Sequence, residues 1–385
     1  MPNHSQTPLR VLFILKNMAM GGISKVACQY LAALKKENSI KLSALILSPV
    51  RDSWAVDFLK SHHIDYQDNF LSETWTKKTF FIWKWVLKTR AHFQKKKMFT
   101  KLSPILAAHD VLLDFSNCEA FPFIRQANKP MVGWVHGNFT TFQRHIAYKI
   151  SLPEYARIVG LTDDFCRAYR QAYPELAERV IRLYNPIDVE ATRRAAEAQD
   201  MLTVAPYFVC IQRLDREKAT DIVVKAFERF HHKYPEYRLY IVGDGAKRVE
   251  LQTMTKNRNV FFTGMLANPF PILQKAFALI LSSTKEYGEG FAAVLTEAQT
   301  LGILSIASDV PSGPADILLD GKAGYLFEAE SVDSLYTTLC HAAESPVENA
   351  AKVALATDQL GRFRVKDIIA NLVRELHSIS QNPHE

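Results

Sequence analysis

Short runs of β-branched and aliphatic residues recur along the chain, separated by longer segments whose apolar positions repeat at helical spacing. The first set is RVLFILKN from Arg10, KLSALILSP from Lys41, DVLLDFSN from Asp110, PMVGWVHGN from Pro130 and ARIVGLTD from Ala156. Near-continuous apolar runs of this length read as strands covered on both faces, and their alternation with helical segments predicts a parallel α/β sheet. The pattern then restarts with YFVCIQRL from Tyr207, YRLYIVGDG from Tyr237, NVFFTG from Asn259, FALILSS from Phe277 and LSIASD from Leu304. Between the two sets, YNPIDVEATRRAAEAQDMLTVAP carries Pro186 and Pro206 around a polar stretch and is read as the linker. The expectation is two doubly wound α/β domains, residues 1–188 and 200–365, with 366–385 as a terminal helix packing back on the first. In such sheets ligands bind outside the carboxyl ends of the strands, so two facing domains enclose a cleft lined by those ends.

Composition adds to this picture. With 385 residues and 48% hydrophobic content the chain can fill two cores. Its net charge of +7 is unevenly shared: residues 1–188 hold 26 Lys and Arg against 15 Asp and Glu, net +11, and the remainder hold 21 against 25, net −4. This asymmetry fits either an anionic partner for the first half or a solvated lysine-rich surface. The five cysteines (Cys28, Cys118, Cys166, Cys210 and Cys340) form no CxxC pair and lie mostly in apolar runs, as reduced thiols of a cytoplasmic protein do. The longest apolar run near the N-terminus, Val11 to Leu15, is too short for a secretion signal or a membrane span, so a soluble or peripheral protein is expected.

Candidate chemistry sits at the strand ends. Gly21 and Gly22 follow the first strand and precede an amphipathic helix, where glycine serves a tight turn or lets a ligand approach the positive helix end. The sequence there is not GxGxxG, which argues against a dinucleotide-dependent oxidoreductase. His136 leaves an apolar strand in GWVHGNF, either as a satisfied structural histidine or as a group facing a substrate. Arg213 and Lys218 stand five apart after the strand at Tyr207, two cations placed for an anion or simply surface charge beside Asp215 and Glu217. The stretch GEGFAAVLTEA puts Glu289 and Glu297 eight apart, which on a helix is about 12 Å of rise and about 80° of rotation. The two carboxylates cannot share a proton. If the glycines at 288 and 290 keep a loop and the helix starts near Ala292, the pair forms two separate grips on one long polar ligand.

In their order, these motifs resemble the retaining family 4 glycosyltransferases of GT-B fold, which have two Rossmann-like domains. The resemblance spans nearly the whole chain and is strongest from Tyr207 to Phe327. It rests on the Gly-Gly loop, the HGN histidine, NPID, RL with a lysine five later, VGDG, F-x-G, and the E-x7-E signature EGFAAVLTE. The tail SDVPSGPADIL looks like that of bacterial polysaccharide and lipopolysaccharide glycosyltransferases using UDP-sugars. The chain departs from the pattern at Ala219, where glycine commonly follows the lysine, and at Ala315-Asp316, where the tail often has arginine-glutamate.

The resemblance implies that Glu289 holds a donor-sugar hydroxyl and Glu297 the ribose diol. Gly290, Phe291 and Ala292 would present backbone N–H groups to the diphosphate, with Gly21 and Gly22 closing on it from the other domain. Leu266 would read the base through its backbone, and His136 would face the sugar. Arg213 and Lys218 would neutralise the leaving diphosphate, which makes a metal unnecessary; no Asp-x-Asp motif is present, and the adjacent acids Asp163 and Asp164 in LTDDF read as a helix cap with first-turn carboxylates. No cofactor is implied. The donor would be a nucleotide-sugar and the acceptor a glycan or lipid-linked glycan. A sugar-nucleotide epimerase of the same fold, or a basic membrane- or nucleic-acid-binding protein, remain the rival readings; no nucleic-acid-binding module is recognisable.

One segment is not absorbed by these motifs. Residues 75–101 carry nine Lys and Arg, no acid and seven aromatics, from Trp75 to Phe99. This mixture suits either an interfacial helix on anionic lipid at the inner face of the cytoplasmic membrane or an amphipathic helix with solvated lysines.

Overall fold

The computed structural model describes residues 7–19, 21–70, 100–144, 152–197 and 206–381. The basic aromatic segment 75–101 therefore lies outside the described residues except for its last two. Thirteen strands among the described residues form two wholly parallel sheets. The first, in the order β3-β2-β1-β4-β5-β6-β7, comprises β1 (Leu9–Leu15), β2 (Ile40–Ile46), β3 (Asp65–Asp68), β4 (Val111–Asp114), β5 (Met131–Trp134), β6 (Arg157–Gly160) and β7 (Val180–Arg182). The second, β10-β9-β8-β11-β12-β13, comprises β8 (Tyr207–Ile211), β9 (Arg238–Val242), β10 (Val260–Gly264), β11 (Ala278–Leu281), β12 (Leu304–Asp309) and β13 (Tyr325–Glu328). In each sheet the strand order reverses once, between β1 and β4 and between β8 and β11, and such a switch point opens a crevice at the carboxyl ends.

Strand side chains sort by parity, as a doubly covered sheet requires. Val11, Phe13 and Leu15 of β1 face one core while Leu12 and Ile14 face the other; in β8, Tyr207 and Val209 oppose Phe208 and Cys210. The core on one side is continuous from the first sheet into the second, so the two halves share apolar packing. All five cysteines are free, and burial pushes the thiols of Cys28, Cys166 and Cys210 up to about 12, which leaves them protonated. No helix among the described residues is long and apolar enough to cross a membrane.

Part of the stretch read as a polar linker is helical. Helix Val189–Glu197 lies against the second half, where Asn268 Nδ2 donates to Ala195 O at 2.7 Å and Arg193 Nε to Thr300 O at 3.3 Å. Two segments join the halves, and they are tied to each other: Ile187 N donates to Phe363 O at 3.0 Å, and Tyr184 Oη and Arg362 Nη2 both donate to Asp316 Oδ1, at 2.7 and 2.5 Å. The Tyr184 ring lies under the guanidinium groups of Arg182 and Arg362, at 4.1 and 5.0 Å. After this junction, helix Val365–Gln381 returns to pack on helix Gly22–Leu34 and β4, with Arg157 Nε and Glu375 Oε2 paired at 3.0 Å.

Candidate active site

The loop leaving β8 is folded by one glutamine. Gln212 Nε2 lies within hydrogen-bond distance of Lys218 O, Thr220 Oγ1 and Ser282 Oγ at 3.1, 2.9 and 3.0 Å, and Ser282 Oγ donates to Lys218 O at 2.6 Å. These bonds pin Lys218 to the end of β11. Ala219 then adopts φ 43°, ψ 39°, a left-handed conformation that costs an L-residue about 1 kcal/mol. This is the physical reason glycine suits the position after the lysine.

Beyond β11 the chain turns through Thr284–Gly290 before entering helix Ala293–Thr300, so Glu289 precedes the helix and Glu297 lies within it, as the glycine spacing predicts. Glu289 is buried, and its Oε1 accepts from both Lys218 Nζ and Ser283 Oγ. Lys218 and Glu289 side chains are only 17% and 11% exposed. Desolvation removes competing water from such a pair, and each charge there depends on the other for compensation.

Arg213 behaves differently. Its side chain is 65% exposed and pairs with Asp215 at 2.7 Å and Glu217 at 3.0 Å, both on its own loop. The two cations that the sequence groups together are thus separated, Lys218 toward the cleft carboxylate and Arg213 toward surface acids.

The backbone N–H groups of Gly290, Phe291 and Ala292 donate to no protein acceptor among the described residues. Orphan donors at a helix start carry the positive end of the helix dipole and suit an anion. The Phe291 side chain points elsewhere: its ring packs on Tyr184 and Phe363, with centroids at 5.9 and 5.7 Å, at the junction between the halves. Glu297 is partly buried; burial raises its carboxyl pKa, and the charge of Lys25, one turn into the helix that follows Gly21 and Gly22, offsets part of that rise. No protein donor among the described residues bonds its carboxylate. At Gly21 and Gly22 themselves, a Cβ would meet nothing within 4 Å, so the space before that helix is open. Leu266 follows Gly264 at the end of β10, half-buried against the shared core.

His136 emerges from β5. Its backbone N donates to Asn117 Oδ1 at 2.8 Å, and Nε2 lies 3.1 Å from Phe115 O, an oxygen that can only accept, so Nε2 carries the proton. Burial against Phe115 and Trp134 pushes the imidazole pKa down to about 4. At neutral pH the ring is uncharged and offers Nδ1 as an acceptor. Thr162 caps helix Asp163–Ala172 by accepting from Phe165 N at 3.2 Å, with Asp163 and Asp164 in the first turn. Asp164 also reaches across the cleft, accepting from Ser312 N at 3.2 Å and Oγ at 3.3 Å. No group of three or more His, Cys, Asp or Glu side chains is spaced to hold a metal among the described residues.

Sequence reasoning did not single out Ser283, Lys25 or Asn138. Ser283 sits in FALILSS, where the run of small polar residues at a strand end was a readable signal. Lys25 and Asn138 act across the cleft, and only the relative placement of the two halves makes them visible.

Residues 205–345 match the family of glycosyl transferases group 1. The chain is similar to a lipopolysaccharide 1,6-galactosyltransferase of Salmonella typhimurium, 26% identical over 165 residues, covering 41% of this chain and 44% of that one. It is also similar to the N-acetylgalactosamine-N,N'-diacetylbacillosaminyl-diphospho-undecaprenol 4-alpha-N-acetylgalactosaminyltransferase of Campylobacter jejuni, 23% identical over 220 residues, covering 56% and 58%. The chain thus spans about half the length of these curated relatives. Among solved structures, Anabaena HepE in complex with UDP superposes with a TM-score of 0.74 at 16% identity, covering 96% of this chain and all of that one. This likeness establishes the GT-B fold: two parallel α/β sheets facing across a cleft.

Proposed function

We propose that this chain is a retaining glycosyltransferase of family 4. It moves a hexose or N-acetylhexosamine from a UDP-sugar to a glycan or lipid-linked glycan in bacterial surface polysaccharide synthesis. The observation that carries this reading is the buried Lys218–Glu289–Ser283 cluster beside the unbonded N–H groups of Gly290, Phe291 and Ala292. In this reading those N–H groups and the helix dipole take the diphosphate, and Lys218 stabilises its growing charge as the glycosidic bond breaks. Glu289 binds a sugar hydroxyl through its second oxygen, and Glu297 takes the ribose diol. Neutral His136 accepts a hydrogen bond from the sugar at Nδ1. Arg213 reaches the diphosphate only by leaving Asp215 and Glu217, and so contributes less than Lys218. The leaving phosphate accepts the proton of the incoming hydroxyl on the same face. The UDP bound to Anabaena HepE and the diphospho-undecaprenol in the name of the Campylobacter relative support the donor and the acceptor class.

The test is a thermal-shift screen of nucleotide-sugars, followed by product analysis with and without glycan acceptor. A UDP-sugar is expected to stabilise the protein, and turnover is expected to persist in EDTA. Loss on chelation that Mg²⁺ or Mn²⁺ restores would overturn the metal-free chemistry, and conversion of the sugar without acceptor would identify an epimerase. The segment 75–101 supplies a second expectation. Several lysines at about 1 kcal/mol each near an anionic surface can hold a peripheral enzyme beside a lipid-linked acceptor. The protein is expected to sediment with anionic but not neutral vesicles, and to be released by high salt or by changing Lys95, Lys96 and Lys97 to glutamate; recovery in the supernatant with both vesicle types excludes the membrane role.

A further inference from the structure

Asn138 follows the His136–Gly137 turn and is only 2% exposed. Its two amide atoms face different halves of the molecule. Oδ1 accepts from Thr141 N and Oγ1, both at 2.9 Å, and so caps helix Phe139–Arg144 of its own domain. Nδ2 crosses the cleft and donates to the carbonyl of Tyr287. Opposite it, Gly288 has φ +56°, and a Cβ there would lie 2.5 Å from Asn138 Nδ2; a Cβ on Gly290 would lie 1.7 Å from His136 O. The obstacle at Gly290 is backbone of the other domain and cannot swing aside as a side chain could. Both glycines are therefore required by the facing domain, and Glu289 stands between them.

We propose that Asn138 is the positioning residue that closes the cleft over the donor. By donating to Tyr287 O it seats the histidine-bearing turn on the Gly288–Gly290 turn and fixes Glu289 and His136 relative to one another. The proposal rests on the glycosyltransferase reading for its catalytic consequence, and on geometry alone for the closure. Asn138→Asp separates the two roles of the side chain, because a carboxylate still accepts from Thr141 but turns an oxygen toward the Tyr287 carbonyl. Gly290→Ala attacks the same contact from the other side.

Both variants, made in the full chain, are expected to keep wild-type near-UV circular dichroism. Without any ligand, both are expected to show a larger radius of gyration in small-angle scattering than wild type. With UDP as probe, Asn138→Asp is expected to bind within about threefold of wild type, while kcat with the accepted UDP-sugar falls about 100-fold, the cost of misplacing a reacting group. A wild-type scattering profile and kcat in Asn138→Asp overturn the proposal, as does a kcat loss matched by an equal loss of UDP affinity. If Asn138→Asp does not fold, the scattering of Gly290→Ala decides. Wild-type protein that turns over no nucleotide-sugar defeats the glycosyltransferase reading alone, since the scattering comparison needs no substrate.

Discussion

Replacing Lys218 with methionine is expected to lower kcat by about 100- to 1000-fold, the range found when one stabiliser of developing charge is removed. Stability should also fall. The Lys218–Glu289 pair is 17% and 11% exposed, and losing one member strands a desolvated charge at a cost of about 3 to 5 kcal/mol. The two losses can be separated. In the double variant Lys218→Met with Glu289→Gln no charge is stranded, so the thermal midpoint is expected to recover toward wild type while turnover stays low. The measurements are UDP release and thermal unfolding on both variants. Recovery of turnover together with stability would reduce the pair to a structural element.

Glu289→Gln alone is expected to depress kcat to a similar extent and to leave affinity for free UDP unchanged, because UDP lacks the sugar that this carboxylate is proposed to hold. The amide keeps an oxygen for Ser283 but loses the charge facing Lys218. Glu297→Gln should show the opposite signature: the proposed ribose contact would exist equally before and during reaction, so its loss is expected in KM and in UDP affinity. Calorimetric titration of both variants with UDP, alongside steady-state kinetics, distinguishes them. Loss of UDP affinity in Glu289→Gln, or wild-type kinetics in both variants, would remove the two-grip arrangement.

What the sequence made legible follows from where the apolar signal is concentrated. The inner strands are buried on both faces and read directly, as VLFIL in β1 and YFVCI in β8 do. The edge strands of the first sheet carry no such signal: β3 is DYQD, half in water, and β7 is the three-residue VIR. Helix Val189–Glu197 was obscured by its charges and the prolines around it. At the site, the E-x7-E spacing fixed Glu289 before the helix and Glu297 inside it because glycine and helix geometry are local properties. The separation of Arg213 from Lys218 was not readable, since Asp215 and Glu217 compete for Arg213 only once the loop is folded. Asp164 illustrates the same limit: its first-turn position was plain, its bond to Ser312 of the other half was not.

The return of helix Val365–Gln381 to the first half has a consequence for biosynthesis. Ile368, Ile369, Leu372, Leu376 and Ile379 belong to the same core as Tyr30, Leu31 and Leu34 of helix Gly22–Leu34. The first sheet is complete once β7 has been made, yet the apolar surface under this helix stays uncovered until nearly the whole second half has been translated. At about 5 to 20 residues per second, that is a delay of about 10 to 40 seconds. Throughout it, the nascent first half presents a hydrophobic groove to chaperones, and a chain that stops before Val365 leaves that groove permanently open.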